Sequence, residues 1–183
     1  MSKAHYIVPT GATPDVMTVR LGSAIATGGV PGTGGSMTPG VDDGKLVKLV
    51  GESQFDLCAN GDMIEGCIVT VEQATSGGWT IGGIIEEEEL YVTANGLQAT
   101  PGTGNLAIGD WVVAGAQEAK GTAMANSFPL VVKSTVQLGT TPADLATAGA
   151  QAKLALYAWR VVSLGTAGTG APGTTIVISR VGS

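Results

Sequence analysis

Charge and aromatic surface are both scarce in this sequence: Asp, Glu, Lys and Arg make up 13% of its 183 residues, and Phe, Trp and Tyr only 4%. The nine basic residues are scattered and outnumbered by fifteen acids, giving a net charge of −6. Nucleic-acid binding needs the opposite field, with cations gathered on one face, so no nucleic-acid partner is expected. Histidine occurs once, as His5, and cysteine twice, as Cys58 and Cys67. Those parts do not make a CxxC pair or a zinc site, and neither a metal nor a cofactor is expected. No run approaches the ~20 apolar residues of a membrane span, and the start Met1 to Pro9 lacks the apolar core of a secretory signal. The expectation is a protein with no membrane partner, made in a reducing compartment where both cysteines stay thiols, a structural disulfide between them being the alternative.

Glycine and small aliphatics, by contrast, are abundant. Twenty-nine glycines and eight prolines punctuate the backbone, while apolar residues reach 44%. That excludes a helical bundle and favours short strands joined by Gly-rich turns. The length suffices to bury a core without metal or disulfide support. The expected fold is all-β: a small antiparallel β-barrel or sandwich with an extended N-terminal arm and at most one short helix.

Two regions are expected. Residues 1–40 read as an extended arm followed by a Gly/Pro-rich loop: Pro9 and Pro14 remove backbone donors and interrupt a weak alternation from Ile7 to Ile25, and residues 27–40, TGGVPGTGGSMTPG, carry too few side chains to offset their ordering entropy. Residues 41–183 read as the β domain. Within it Asp43-Gly44 is a turn feeding the strand Lys45 to Val50, and further strands fall at Met63 to Val71, Trp79 to Ile85 and Leu90 to Thr93. The paired Gly82-Gly83 predicts a bulge or sharp bend, and Asn95-Gly96 predicts a tight turn. Ile108 to Ala114 repeats the logic of residues 43 to 50, a Gly/Asp turn running into a β-branched strand. A capping Thr141 before Pro142 opens a candidate helix over Leu145 to Leu156. Tyr157 to Leu164 and Thr174 to Val181 are expected to pair as a terminal hairpin with a long, flexible tip. The motif Pro-Gly-Thr recurs at Pro31, Pro101 and Pro172 without a fixed period, as reused loop chemistry rather than a solenoid repeat.

Chemistry-bearing constellations are thin. Gly44-Lys45 is followed by Leu46, so it is not a phosphate-binding loop. No glycine-rich stretch opens a helix in a βαβ unit. His5, the only histidine that could serve a serine or cysteine nucleophile as base, stands in the arm, where a solvent-exposed or interface histidine is the expectation. Glu86 to Glu89 concentrates carboxylates, yet neighbouring strand residues point to opposite faces, so the four do not converge on a cation; a solvated rim is the expectation. Asp56, Asp62, Glu65 and Glu72 offer no spacing that singles out a catalytic pair. No catalytic residue is nominated, and the chain is expected not to be an enzyme. Trp79, Trp111 and Trp159 lie among aliphatics in expected strands and should anchor the core; turned outward, they would instead make a sugar-binding platform.

The order of blocks carries a resemblance. An extended leader, DGKLVKLV from Asp43, GDMIEGCIVTVEQ from Gly61, WTIGGIIEEEELYVTANG from Trp79, IGDWVVAG from Ile108 and a closing TTIVISRVGS from Thr174 together resemble the head decoration, or capsid cement, proteins of tailed bacteriophages over residues 43 to 183. The resemblance implies a structural virion protein, synthesised in the host cytoplasm. It would bind the outer surface of the capsid and stabilise the shell by bridging subunits of the major capsid protein, as a homo-oligomer, a trimer ahead of a dimer. On that basis the arm is the expected attachment segment, with Tyr6, Ile7, Val8, Val16, Met17, Val19 and Leu21 adding strand edge and apolar side chains to the partner. The competing expectation is a carbohydrate-binding or adhesion module on a virion surface.

Overall fold

A computed structural model describes residues 6–7, 16–22, 37–51, 54–72, 80–86, 89–135 and 159–180. The described chain is all-β, as expected, and its strands form two closed rings. The candidate helix over 145–156, together with His5, Val8, Trp79 and the first Pro-Gly-Thr motif, lies outside the described residues.

The first ring contains β2 (Val16–Leu21), β3 (Leu46–Gly51), β4 (Gln54–Leu57), β5 (Gly66–Val71) and β6 (Thr80–Ile85), in the closed order β2-β4-β3-β5-β6. Val19, Leu21, Met37, Val47, Phe55, Ile68, Val71 and Ile84 form its core. Residues 16–21 are therefore not a free arm, and a boundary at residue 40 divides this ring. Val16–Leu21 pairs along its full length with β6 and buries Val19 and Leu21. The prolines that suggested an arm precede this strand, and within it the alternation of Val19 and Leu21 with Thr18 and Arg20 decides the outcome.

The second ring contains β7 (Glu89–Leu97), β9 (Trp111–Ala114), β10 (Leu130–Lys133), β11 (Trp159–Ser163) and β12 (Thr175–Arg180). Its path runs β7-β10-β9-β11-β12, and a β7–β12 pairing returns it to β7. Two short strands are appended to β7: β1 (Tyr6–Ile7) and β8 (Thr100–Pro101). The expected hairpin is present as β11 and β12. Its tip, however, is tied down: Gly170 bridges to Leu106, Gly173 N–H donates to the Ala94 carbonyl, and the Thr174 hydroxyl donates to Thr169 and Ala171 carbonyls.

Leaving β1 and β8 aside, the two rings have the same winding. Each runs first, third, second, fourth, fifth strand, with first and third parallel and every other neighbouring pair antiparallel. The correspondence extends to single residues. The fourth strand of each ring has one extra residue opposite the fifth, Val69 in β5 and Val162 in β11. Just before it, Ile68 and Val161 are gripped alike: Gly44 N–H donates to the Ile68 carbonyl and Gly109 N–H to the Val161 carbonyl, both at 2.8 Å, while Ile68 and Val161 N–H return to Lys45 and Asp110. Gly44 and Gly109 have φ of 88° and 90°, the left-handed region in which a side chain is strained. The similar logic of residues 43–50 and 108–114 thus reflects a duplicated structure.

Glu86 to Glu89 joins the rings: β6 ends at Ile85 and β7 starts at Glu89. The rings are also packed together. Leu46, Cys58, Ile64 and Cys67 of the first half share a core with Leu90, Val92, Ala94, Val112, Val131, Trp159, Val161, Ile176 and Ile178 of the second. Trp159 is buried there, as expected of a core anchor, and its Nε1–H donates to the Ile64 carbonyl at 3.0 Å. Trp111 is half-buried at the start of β9.

Two glycine expectations change in detail. The bulge near Gly82-Gly83 lies on β5 opposite, and Gly82 instead lets strands crowd: a Cβ there would stand 2.3 Å from Leu21 Cδ1 and from the Thr70 carbonyl oxygen. Asn95-Gly96 is no turn but part of β7, where Gly96 at φ 75° admits the Thr103 carbonyl to 2.1 Å from where a Cβ would stand.

Candidate interaction surface

The seven residues expected to contact a partner are separated by the fold. Val19 and Leu21 point into the first ring's core and are unavailable. Val16 and Met17, on the same strand, are 41% and 40% exposed. Tyr6 and Ile7 form β1, antiparallel to β7 with Tyr6 opposite Leu90 and Ile7 opposite Glu89; Val8 lies outside the described residues. Leu49 and Val50, at the end of β3, add two further exposed aliphatics to the first ring, and Tyr91, Leu97 and Ile108 are the exposed large apolar residues of the second. No large contiguous apolar patch is needed to account for such scattered side chains, so a partner site must be argued from more than exposure.

Polar side chains are largely engaged within the fold. Lys45 and Asp42 are a fully buried ion pair, with Nζ 2.6 Å from Asp42 Oδ1. The Lys45 ammonium also donates to the carbonyls of Ala119 at 2.9 Å, Thr122 at 2.7 Å and Glu118 at 3.2 Å. Asp42 in turn accepts from the Thr38 and Gly121 amides. A charge pair taken out of water persists only when its remaining donors and acceptors are satisfied, and here the 115–129 loop of the second ring provides that environment for the first. Sequence alternation gave no sign of it, since Lys45 opens an apparently amphipathic strand; the one available signal was Asp42 three residues earlier.

The acids considered for catalysis do not converge. Asp56 pairs with Lys120 at 2.8 Å and Asp62 with Lys48 at 2.6 Å. Glu65 accepts from the Leu49 amide, and Glu72 is exposed at the end of β5. Asp43 is held above the ordinary carboxylate range, chiefly by burial, against the Val71 amide that donates to it. Among the described residues, no group of three or more His, Cys, Asp and Glu side chains is placed to hold a metal ion.

No family model, curated protein or solved structure matches this chain. What the surface can do therefore rests on its own chemistry. Both cysteines are free and buried. Burial pushes the Cys67 thiol up to about 12 and drives Cys58 higher still, with the neighbouring Asp62 carboxylate adding to the effect. Only the thiolate attacks a disulfide reagent, so neither cysteine is a nucleophile at neutral pH. A chromogenic aromatic disulfide at pH 8 is expected to leave both thiols unmodified over minutes in the native protein and to titrate both in urea. Rapid native labelling would contradict this burial.

Proposed function

We propose that this chain is a structural virion protein that binds the outer surface of a phage capsid and bridges subunits of the major capsid protein. The observation that carries the reading is the pair of alike rings on one shared core. Ring closure seals most strand edges, which limits indiscriminate pairing. Among the described residues, Asp42, Asp56, Asp62 and Asp110 are each paired with a lysine within the fold, which favours a role for the body as contact surface. Two alike units held in one fixed arrangement suit a lattice whose subunits repeat, because engagement of one unit raises the effective concentration of the second. Each contact then needs only modest strength.

The sugar-binding alternative draws less support, since Trp159 is spent on the core. The test is co-sedimentation with empty expanded shells from the virus that encodes this chain, stripped of the chain beforehand. Saturable binding at a fixed number of copies per shell is expected, with self-association measured separately by sedimentation equilibrium to decide between trimer and dimer. Absence of binding to shells, accompanied by binding to a glycan panel, would replace this reading with the adhesion module.

A further inference from the structure

The two rings align residue by residue along their first strands, and the alignment reveals a difference. Matching the bulges at Val69 and Val162 sets Met17 against Leu90, Val19 against Val92 and Leu21 against Ala94. Pairing with the third strand gives the same register: Arg20 and Leu21 meet Gln54 and Phe55, while Thr93 and Ala94 meet Leu130 and Val131. In the second ring, β1 occupies the part of this edge that precedes the third strand, opposite Glu89 and Leu90. The corresponding residues of the first ring are Val16 and Met17, and among the described residues no strand pairs with them on that edge.

Side-chain burial follows the same difference. Leu90 is 1% exposed, whereas its counterpart Met17 is 40% exposed. Backbone direction follows as well. Gly22 N–H donates toward β4, to the Phe55 carbonyl, and the two-residue period of a strand turns the N–H and C=O of Val16 and Thr18 to that same side. These groups face away from β6.

We propose that the edge at Val16–Thr18 is a docking slot for an extended segment of a capsid subunit, added antiparallel to β2 in the way that β1 is added to β7. The occupant carries apolar residues at the pairing positions, one of which covers Met17, and no proline where its own N–H must donate. The proposed occupant belongs to another polypeptide: β1, the segment of this chain that fills the equivalent slot of the second ring, is itself engaged on β7, and among the described residues no other strand is placed beside Val16 and Met17. The identity of that polypeptide as a capsid subunit rests on the function proposed above; the slot itself rests on the comparison of the rings.

The test uses the full chain and stripped shells. Thr18→Pro removes an N–H from the open edge without touching the β6 ladder, and Met17→Glu charges the side chain that the occupant should cover. Both variants are expected to melt as the parent does and to bind shells at least tenfold more weakly, while Thr18→Val binds normally. Amide exchange at Val16 and Thr18 is expected to be fast in the free protein and slowed on shells. Undiminished binding by both variants would overturn the slot and leave the capsid reading standing; failure of the parent to bind shells would overturn the capsid reading. Slow exchange in the free monomer would assign the edge to this chain's own residues, and self-association lost in Thr18→Pro would assign it to a second copy. Either result overturns the proposed occupant.

Discussion

A chain lacking residues 1–40 is expected to lose its first ring rather than shed an accessory arm. The deletion removes β2 and with it the six residue pairs to β6 and the parallel contact with β4. It also removes Val19, Leu21 and Met37, all buried in the first core. Each such side chain is worth about 1.5–3 kcal/mol when buried, so three of them rival the ~5–15 kcal/mol that stabilises a whole domain. The remaining ring would expose the inward face and one full edge of β6, an invitation to aggregation. The truncated chain should lack the cooperative urea transition of the parent, with reduced strand signal by circular dichroism. A sharp transition at the parental midpoint would show that residues 1–40 are dispensable for folding.

The second large effect is expected at Lys45. Changing it to Met keeps the length of the stem but leaves the Asp42 carboxylate buried without its cation, and withdraws the donor from the carbonyls of Glu118, Ala119 and Thr122. Breaking a buried pair from one side costs about 3–5 kcal/mol, which equilibrium urea unfolding would register as a large fall in midpoint. Removing the charge from both sides, as Lys45→Met with Asp42→Asn, should recover part of the loss, since no uncompensated ion then remains. Single and double variants of equal stability would show that the cost does not arise from the stranded carboxylate.

These two positions also mark how far the sequence could be read. Strands with strong β-branched content were legible: Gly66–Val71, Thr80–Ile85 and Thr175–Arg180 fall within expected runs, and Leu46–Gly51 passes the end of its expected run, Val50, by one residue. The strands that escaped were short. Gln54–Leu57 has one fully buried side chain, Phe55, with Asp56 beside it, and Leu130–Lys133 follows Pro129 with little room for alternation. Asn95-Gly96 misled because a strong local turn signal serves, inside β7, to admit a neighbouring carbonyl. The β2 edge was half legible. Its apolar character was visible, but which residues turn inward depends on pairing with β6, a contact made about sixty residues away, from Leu21 with Thr80 to Val16 with Ile85.

The duplication was the least visible feature of all, although Gly44 and Gly109 both announced turns. A closed ring requires a winding order, a few positive-φ positions and alternating burial, and many sequences meet those conditions. Ile68-Val69-Thr70 and Val161-Val162-Ser163, for example, occupy matching places around the bulge with only the central valine in common. What the halves share is a set of backbone constraints, which side-chain identity records poorly.

Each ring also enters and leaves at one corner. Val16 lies directly opposite Ile85, and Leu90 directly opposite Ile178, so start and finish are separated by only about 5 Å, the width of a ladder. A unit with adjacent ends can be joined to its like through a few residues without threading any loop, which makes the architecture modular: a third unit would be appendable beyond Arg180 by a linker no longer than the one spanning Glu86 to Glu89, and a permuted chain that opens elsewhere would retrace the same path.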